Sequence, residues 1–275
     1  MRARPVSLAL LVVFGLTGAC SKREQSPTYD TARGDAAALL QGARLVAPGR
    51  LTVCSDIPYA PFEFDEPNPA GGESLTGFDV ELVRALAAQL AFAAEFRTTP
   101  FDTIFAALTA GDCDLIASAV TVTPERRQKV AFTQSYFDAD QSLLIRAADR
   151  DRYRQLGDLA GRTIGVQSGT TGETYTKGHL PAGATVKDFP GAEDLFSALV
   201  AGDIDAVLQD FPVNTYRALK APAQFAVTET FRTGEQYGFA VAQDNPKLVA
   251  ALDTALGNLR RSGDYGRIHR AWFGE

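Results

Sequence analysis

Apolar positions along the chain alternate between two rhythms. Val80, Val83, Leu86, Ala87 and Leu90 fall at helical spacing, which predicts a helix opening at Gly77-Phe78-Asp79 with its apolar stripe against a sheet. Ile104, Phe105 and Leu108 predict a second helix with Asp102 as its N-cap. Leu248, Ala251, Leu252, Ala255 and Leu259 mark a long one over 246–260, a further helix is expected over 213–219, and Gly263-Asp264-Tyr265 opens a last one ending at Trp272-Phe273. Short strand-like runs lie between them at 51–54, 94–97, 142–146, 162–166 and 239–242. Strand, loop and helix alternate through the body, the pattern of an α/β fold built on mostly parallel sheets.

One unit occurs twice. Phe105-Ala106-Ala107-Leu108-Thr109-Ala110-Gly111-Asp112-Cys113-Asp114 recurs as Phe196-Ser197-Ala198-Leu199-Val200-Ala201-Gly202-Asp203-Ile204-Asp205. Each copy reads as a helix closed by a left-handed glycine and followed by a buried strand, which argues for two similar lobes. Carrying the register forward sets Ser118 and Ala119 opposite Gln209 and Asp210, just past the carboxyl ends of strands, where open α/β sheets bind ligands. One copy leads to a carboxylate, Asp210, and the other to a guanidinium, Arg126, a pairing suited to a zwitterion.

Thr123 reads as an N-cap and Pro124 as the first helical residue, so Arg126 falls in a first turn, where the helix dipole disfavours a cation by about 0.3–1 kcal/mol. Local preferences are often broken at functional sites; the bland alternative is a solvated face of Arg126, Arg127 and Lys129. The loop Gln167-Ser168-Gly169-Thr170-Thr171-Gly172-Glu173 gathers amides and hydroxyls before a helix and could cradle a carboxylate. It lacks the lysine and spacing of a P-loop, and a ligand-free turn remains the alternative.

Composition changes the picture at the start of the chain. The 275 residues are 45% hydrophobic and 22% charged, ordinary for a globular body with a sizeable core. Residues 1–19 stand apart: Arg2 and Arg4, an apolar run over 6–16 too short to span a bilayer, then Thr17-Gly18-Ala19 before Cys20. This reads as a signal peptide, and the cysteine after it resembles the lipobox of bacterial lipoproteins, which implies acylation of Cys20. Thr17 departs from the large aliphatic residue usual there, so plain secretion with a free Cys20 stays open. Residues 20–44 form a polar tether. Losing 1–19 removes two of 27 basic residues and none of 33 acidic ones, taking the formal charge from −6 to −8 and arguing against nucleic acid. Cys54 and Cys113, placed near opposite ends of strands, are expected as two buried thiols rather than a disulfide, although export would allow their oxidation. Neither of the two histidines has ligand spacing, so no metal and no cofactor are expected.

Five motifs point further. Pro58-Tyr59-Ala60-Pro61-Phe62-Glu63-Phe64, Thr76-Gly77-Phe78-Asp79-Val80-Glu81-Leu82, Thr121-Val122-Thr123-Pro124-Glu125-Arg126, Gly165-Val166-Gln167-Ser168-Gly169-Thr170-Thr171 and the stretch from Gly263-Asp264-Tyr265 to Trp272-Phe273-Gly274 resemble, in order and spacing, the polar amino-acid solute-binding proteins of bacterial ABC importers (family 3). The resemblance covers residue 45 to the C-terminus. It implies a type II periplasmic-binding fold: one lobe from 45–139 plus 239–275, another from 142–236, and two hinge strands. In such a protein Arg126 clamps the ligand α-carboxylate with help from Ser118, Ala119, Thr121, Ser168 and Thr171. Asp210 takes the α-ammonium, and Tyr59 and Phe101 sandwich the side chain.

The sequence departs from some relatives at Ala119, where only a backbone amide can serve, and at Gly172. Asp56 matches the position that meets the side-chain end of the ligand. A carboxylate there favours arginine, lysine or histidine, while glutamine binders carry the same residue. The implied protein is a monomer tethered by a lipid in the periplasm or at the cell surface, handing an L-amino acid to a permease. An enzyme resembling cyclohexadienyl dehydratase, with Glu173 as general acid, is the rival, and a sensor or adhesin on the same fold is a third reading.

Overall fold

The structure, a computed structural model, describes residue 38, residues 40–68 and residues 71–274. The expected leader, Cys20 and most of the expected tether lie outside the described residues. The first half of the chain runs β1 (Arg50–Ser55), the hairpin β2–β3 (Phe64–Pro67, Glu73–Thr76), α1 (Phe78–Gln89), β4 (Ala93–Thr98), α2 (Phe101–Ala110), β5 (Leu115–Ile116), α3 (Pro124–Arg127), β6 (Val130–Phe132) and β7 (Phe137–Arg146). After two 3-10 turns follow β8 (Thr163–Gln167), α4 (Thr171–Gly178), β9 (Thr185–Phe189), α5 (Ala192–Ala201), β10 (Ala206–Asp210), α6 (Phe211–Lys220), β11 (Phe225–Tyr237), β12 (Ala240–Ala242), α7 (Pro246–Ser262) and α8 (Asp264–Phe273).

These strands build two five-stranded sheets, ordered β4-β1-β5-β12-β6 and β11-β7-β10-β8-β9. β7 brings the chain from the first sheet into the second and β11 returns it; the two pair antiparallel from Arg146↔Phe225 to Phe137↔Tyr237. The sheets are less parallel than the alternation of elements predicts. β12 runs antiparallel to both β5 and β6, and β7 to both β10 and β11, because these strands enter from the other sheet. The remaining pairs, β1 with β4 and β5 and β8 with β9 and β10, are parallel.

The sequence repeat is a repeat of hydrogen bonds. α2 ends at Gly111 (φ 85°) and α5 at Gly202 (φ 84°), each left-handed, and Asp112 N donates to Ala107 O as Asp203 N does to Ala198 O, both at 3.0 Å. The aspartate closing each unit then grips one residue of a neighbouring strand twice. Asp114 N donates to Thr52 O and its Oδ2 accepts from Thr52 N, each at 2.7 Å. Asp205 does the same to Thr163, at 2.8 and 3.0 Å. These bonds seat β5 beside β1 and β10 beside β8.

Two expectations are corrected. Asp102 is not the N-cap of α2: the helix starts at Phe101 after Pro100, with no side-chain cap, and Asp102 sits in the first turn, where a carboxylate suits the dipole. Cys54 and Cys113 are not thiols but a disulfide, with Cα atoms 5.8 Å apart. The turn after Gly111 folds Cys113 back under α2, beside the end of β1, so both sulfurs share the apolar cluster of Ile104, Leu108 and Ile116. Gly77 explains why two motifs stand together: Phe78 N and Asp79 N bond Pro61 O and Phe62 O, and a Cβ on Gly77 (φ 126°) would lie 2.1 Å from Phe62 O.

Candidate ligand-binding cleft

Four strand ends converge between the sheets. Asp56 follows β1, Ser118, Ala119 and Thr121 follow β5, Gln167 ends β8 and Asp210 ends β10, an arrangement in which the carboxyl edges of both sheets face one crevice. Asp56, Tyr59, Phe101, Ser118, Ala119, Thr121, Arg126, Thr171 and Asp210 line a single cavity with Gln167 and Thr170. Ser168 does not line it. Its amide continues the β8–β9 ladder by donating to Phe189 O at 2.9 Å, and alternation turns Gln167 inward instead.

Asp210 is the most buried of the charged residues that line the cavity. It is buried and accepts three neutral donors, Tyr59 Oη at 2.9 Å, Tyr237 Oη at 2.5 Å and Gln141 Nε2 at 2.6 Å. Burial, followed by the nearby Glu235 carboxylate, pushes its pKa up to about 6 despite those bonds. A carboxylate so placed gains from a cation.

Across the cleft, Thr123 caps α3 by accepting Arg126 N at 3.1 Å, with Pro124 at the first helical position. The Arg126 guanidinium donates to Thr121 O at 2.7 Å and to Gly169 O at 3.1 Å, and lies 5.3 and 5.2 Å over the rings of Phe101 and Phe105. Burial lowers its pKa, while Asp210 and Glu235 raise it; guanidinium stays charged. Beside it α4 begins with Thr170 as cap, accepting Glu173 N at 3.1 Å, so the first-turn amides of Thr171 and Gly172 have no partner within the helix and favour an anion. A Cβ on Gly172 would lie 3.0 Å from Leu208 O and from Gln141 Oε1, which accounts for the glycine.

Three expected donors are already engaged. Ser118 Oγ donates to Glu63 Oε1 at 2.6 Å and accepts Asp56 N at 2.9 Å. Ala119, left-handed at φ 46°, directs its amide to Asp79 Oδ2 at 2.9 Å, so the amide expected to serve a ligand holds this strained turn instead. Thr121 Oγ1 donates to Glu235 Oε2 at 2.7 Å. Glu63 and Asp79, buried beneath the 118–119 turn, were not legible as site residues. Burial raises Asp79 to about 7, and burial followed by the neighbouring Asp79 pushes Glu63 well above the usual carboxylate range. Gln141, Glu235 and Tyr237 also escaped sequence reasoning, since nothing local distinguishes them from other strand residues.

At the far end, Gln167 Nε2 donates to Asp56 Oδ2 at 2.5 Å. Asp56 rises to about 6, chiefly by burial, with Gln167 opposing the shift and Asp102 adding to it. Tyr59 and Phe101 are both buried and line the cleft, Tyr59 with its hydroxyl on Asp210 and Phe101 with its ring under Arg126. Glu173 faces elsewhere: its Oε2 accepts Gly169 N at 2.6 Å and its other oxygen pairs with Lys177. Partial burial pulls its pKa upward, but Lys177 and the Gly169 amide prevail and hold it below the usual value.

The sequence model of the bacterial extracellular solute-binding proteins, family 3, matches residues 51–275. The chain belongs to that family. It is 31% identical over 234 residues to the histidine-binding periplasmic protein of Salmonella typhimurium, covering 82% of this chain and 88% of that protein. Among solved structures it is similar to an ancestral arginine-binding protein bound to glutamine, with TM-score 0.77 and 35% identity over 83% of this chain and all of the other. It is also similar to the ancestral amino-acid-binding protein AncCDT-1, a precursor of cyclohexadienyl dehydratase, with TM-score 0.74 and 35% identity over 82% and 96% of the two chains. The family-3 protein described here has the two-lobed type II fold of these binding proteins.

Proposed function

We propose that this family-3 protein captures an L-amino acid with a polar, basic side chain in the periplasm and delivers it to an ABC import permease. The observation that carries the reading is the placement of Arg126 and the α4 amides at one end of a cleft whose other walls hold Asp210 and Asp56. Each charge of a basic amino acid then meets an opposite one: α-carboxylate to Arg126, α-ammonium to Asp210, side-chain cation to Asp56. Relatives that bind histidine, arginine and glutamine support the class. The lobes are residues 45–139 with 239–275, and 142–236, turning about hinges near 139–142 and 236–239. The leader directs export, and acylation of Cys20, which palmitate labelling of wild type against Cys20→Ser would reveal, holds the protein at the membrane surface.

An enzyme on this fold would need a proton donor, and Glu173, tied to Lys177 with its pKa lowered, is poorly suited to that role. We therefore read the protein as a binder rather than a dehydratase. The test is a calorimetric competition of arginine, lysine, histidine, glutamine, glutamate and leucine on wild type and Asp56→Asn. Basic ligands should lead, with glutamine next, and Asp56→Asn should narrow the gap between them. Preference for glutamate or leucine, or an unchanged ranking in the variant, would remove Asp56 as the reader of the side chain.

A further inference from the structure

β11 crosses between the sheets at its end, where its register with β7 shifts between Phe231 and Glu235 and Glu235 comes to lie opposite Ala139. A bulge of this kind re-aims the side chain that follows it. Glu235 reaches into the seam between the sheets. Its Oε2 accepts the hydroxyls of Thr121 and Thr171, each at 2.7 Å, and its Oε1 accepts Gln141 Nε2 at 3.1 Å. Thr121 belongs to the loop after β5 of the first sheet, and Thr171 opens α4 after β8 of the second. The two hydroxyls are 3.4 Å apart, so a single carboxylate oxygen can hold both only while the sheets are drawn together. Gln141 ties this carboxylate to Asp210, to which the same nitrogen donates at 2.6 Å.

We propose that Glu235 is a positioning residue that latches the closed protein, a hinge-strand carboxylate that takes one hydroxyl from each lobe and loses at least one when they part. The proposal rests on the lobe closure of the preceding section, but it assigns Glu235 no contact with the ligand. Hydroxyl-to-carboxylate bonds are charge-assisted and short, yet opening returns the carboxylate to water, so the net gain is modest. Because the gain belongs to the closed state alone, it scales the affinity of every ligand that needs closure by one common factor.

Glu235→Ala should bind arginine, lysine and glutamine each about tenfold more weakly, with faster dissociation and an unchanged arginine-to-glutamine ratio. Glu235→Gln, which keeps one acceptor oxygen, should recover part of the loss; it also serves if the alanine variant does not fold. Without ligand, X-ray scattering should give Glu235→Ala a larger radius of gyration than wild type. Wild-type affinity in the alanine variant overturns the latch, as does a changed ratio, which would make Glu235 a charge that reads the ligand. Identical ligand-free scattering also overturns it. Wild type binding none of the three amino acids defeats the proposed function, while the ligand-free scattering still decides the latch.

Discussion

Asp210 and Arg126 are held without each other. Asp210 is surrounded by two tyrosine hydroxyls and an amide, and Arg126 by two carbonyls, so each charge is hydrogen-bonded by neutral groups and open to an opposite charge from a ligand. Removing either partner of a desolvated charge pair costs roughly 2–5 kcal/mol. Arg126→Ala and Asp210→Asn should weaken amino-acid binding by about that much in calorimetry with folding largely intact, and wild-type affinity in either would dissociate that residue from the site. The raised carboxylates add a dependence on pH. Asp56 and Asp210, both held near 6 mainly by burial, are protonated at pH 5 and ionised at pH 7.5. Because their folded values lie above the ordinary one, they favour the ligand-free fold below the ordinary carboxylate pKa, and that stability is lost as pH rises through about 6. A cationic ligand needs the opposite state. The increase in melting temperature caused by arginine should therefore shrink from pH 7.5 to pH 5, and an increment that does not shrink would count against both acids as cation partners. The charged ends were legible because Arg126 breaks a helix preference and Asp210 follows a repeat. The acids that shape the floor, Glu63 and Asp79, were not, because their role depends on where a turn distant in sequence lands.

At the scale of elements, periodicity located most of what forms: α1, α7 and α8 begin where their apolar stripes begin, and the duplicated Ala-Gly-Asp turns are helix caps. Strand direction was harder, since β12 and β7 read locally like any buried strand and are antiparallel only because of where the chain enters. The cysteines show the same limit. Cys54 lies in β1 and Cys113 in the turn before β5; strand ends alone suggested separation, whereas the turn after Gly111 brings them together. The bond closes a loop spanning 59 residues of sequence, over which chain entropy predicts about 4 kcal/mol of stabilisation. It also pins α2, which carries Phe101, to β1, which leads to Asp56. Cys54→Ser with Cys113→Ser should lower stability toward urea by about 2–4 kcal/mol. A double variant as stable as the oxidised wild type would mean that packing under α2 already fixes the turn.

For the whole molecule, bonds from one sheet system to the other close the cleft: Tyr59 to Asp210, Gln167 to Asp56, Arg126 to Gly169 O, and the Thr121 and Thr171 hydroxyls to Glu235. The cavity they leave is about 10 Å³, on the order of the room one water needs, and an amino acid cannot enter without separating the walls. The main chain passes between the sheets twice, along β7 and along β11, so separation should be a rotation about those passages. The register shift before Glu235 and the left-handed Gly234 (φ 63°) lie beside the second passage, in backbone able to absorb the turn. Ligand should shift the population toward the closed form, because only there can Arg126 and Asp210 both reach one zwitterion. Solution scattering should accordingly record a smaller radius of gyration on saturation with arginine than without it, and Arg126→Ala saturated at its own higher concentration should contract less. A free wild-type protein as compact as the saturated one would place the closed state before binding and leave ligand entry to rare openings; a free protein that is expanded and does not contract at saturation would contradict hinge closure itself.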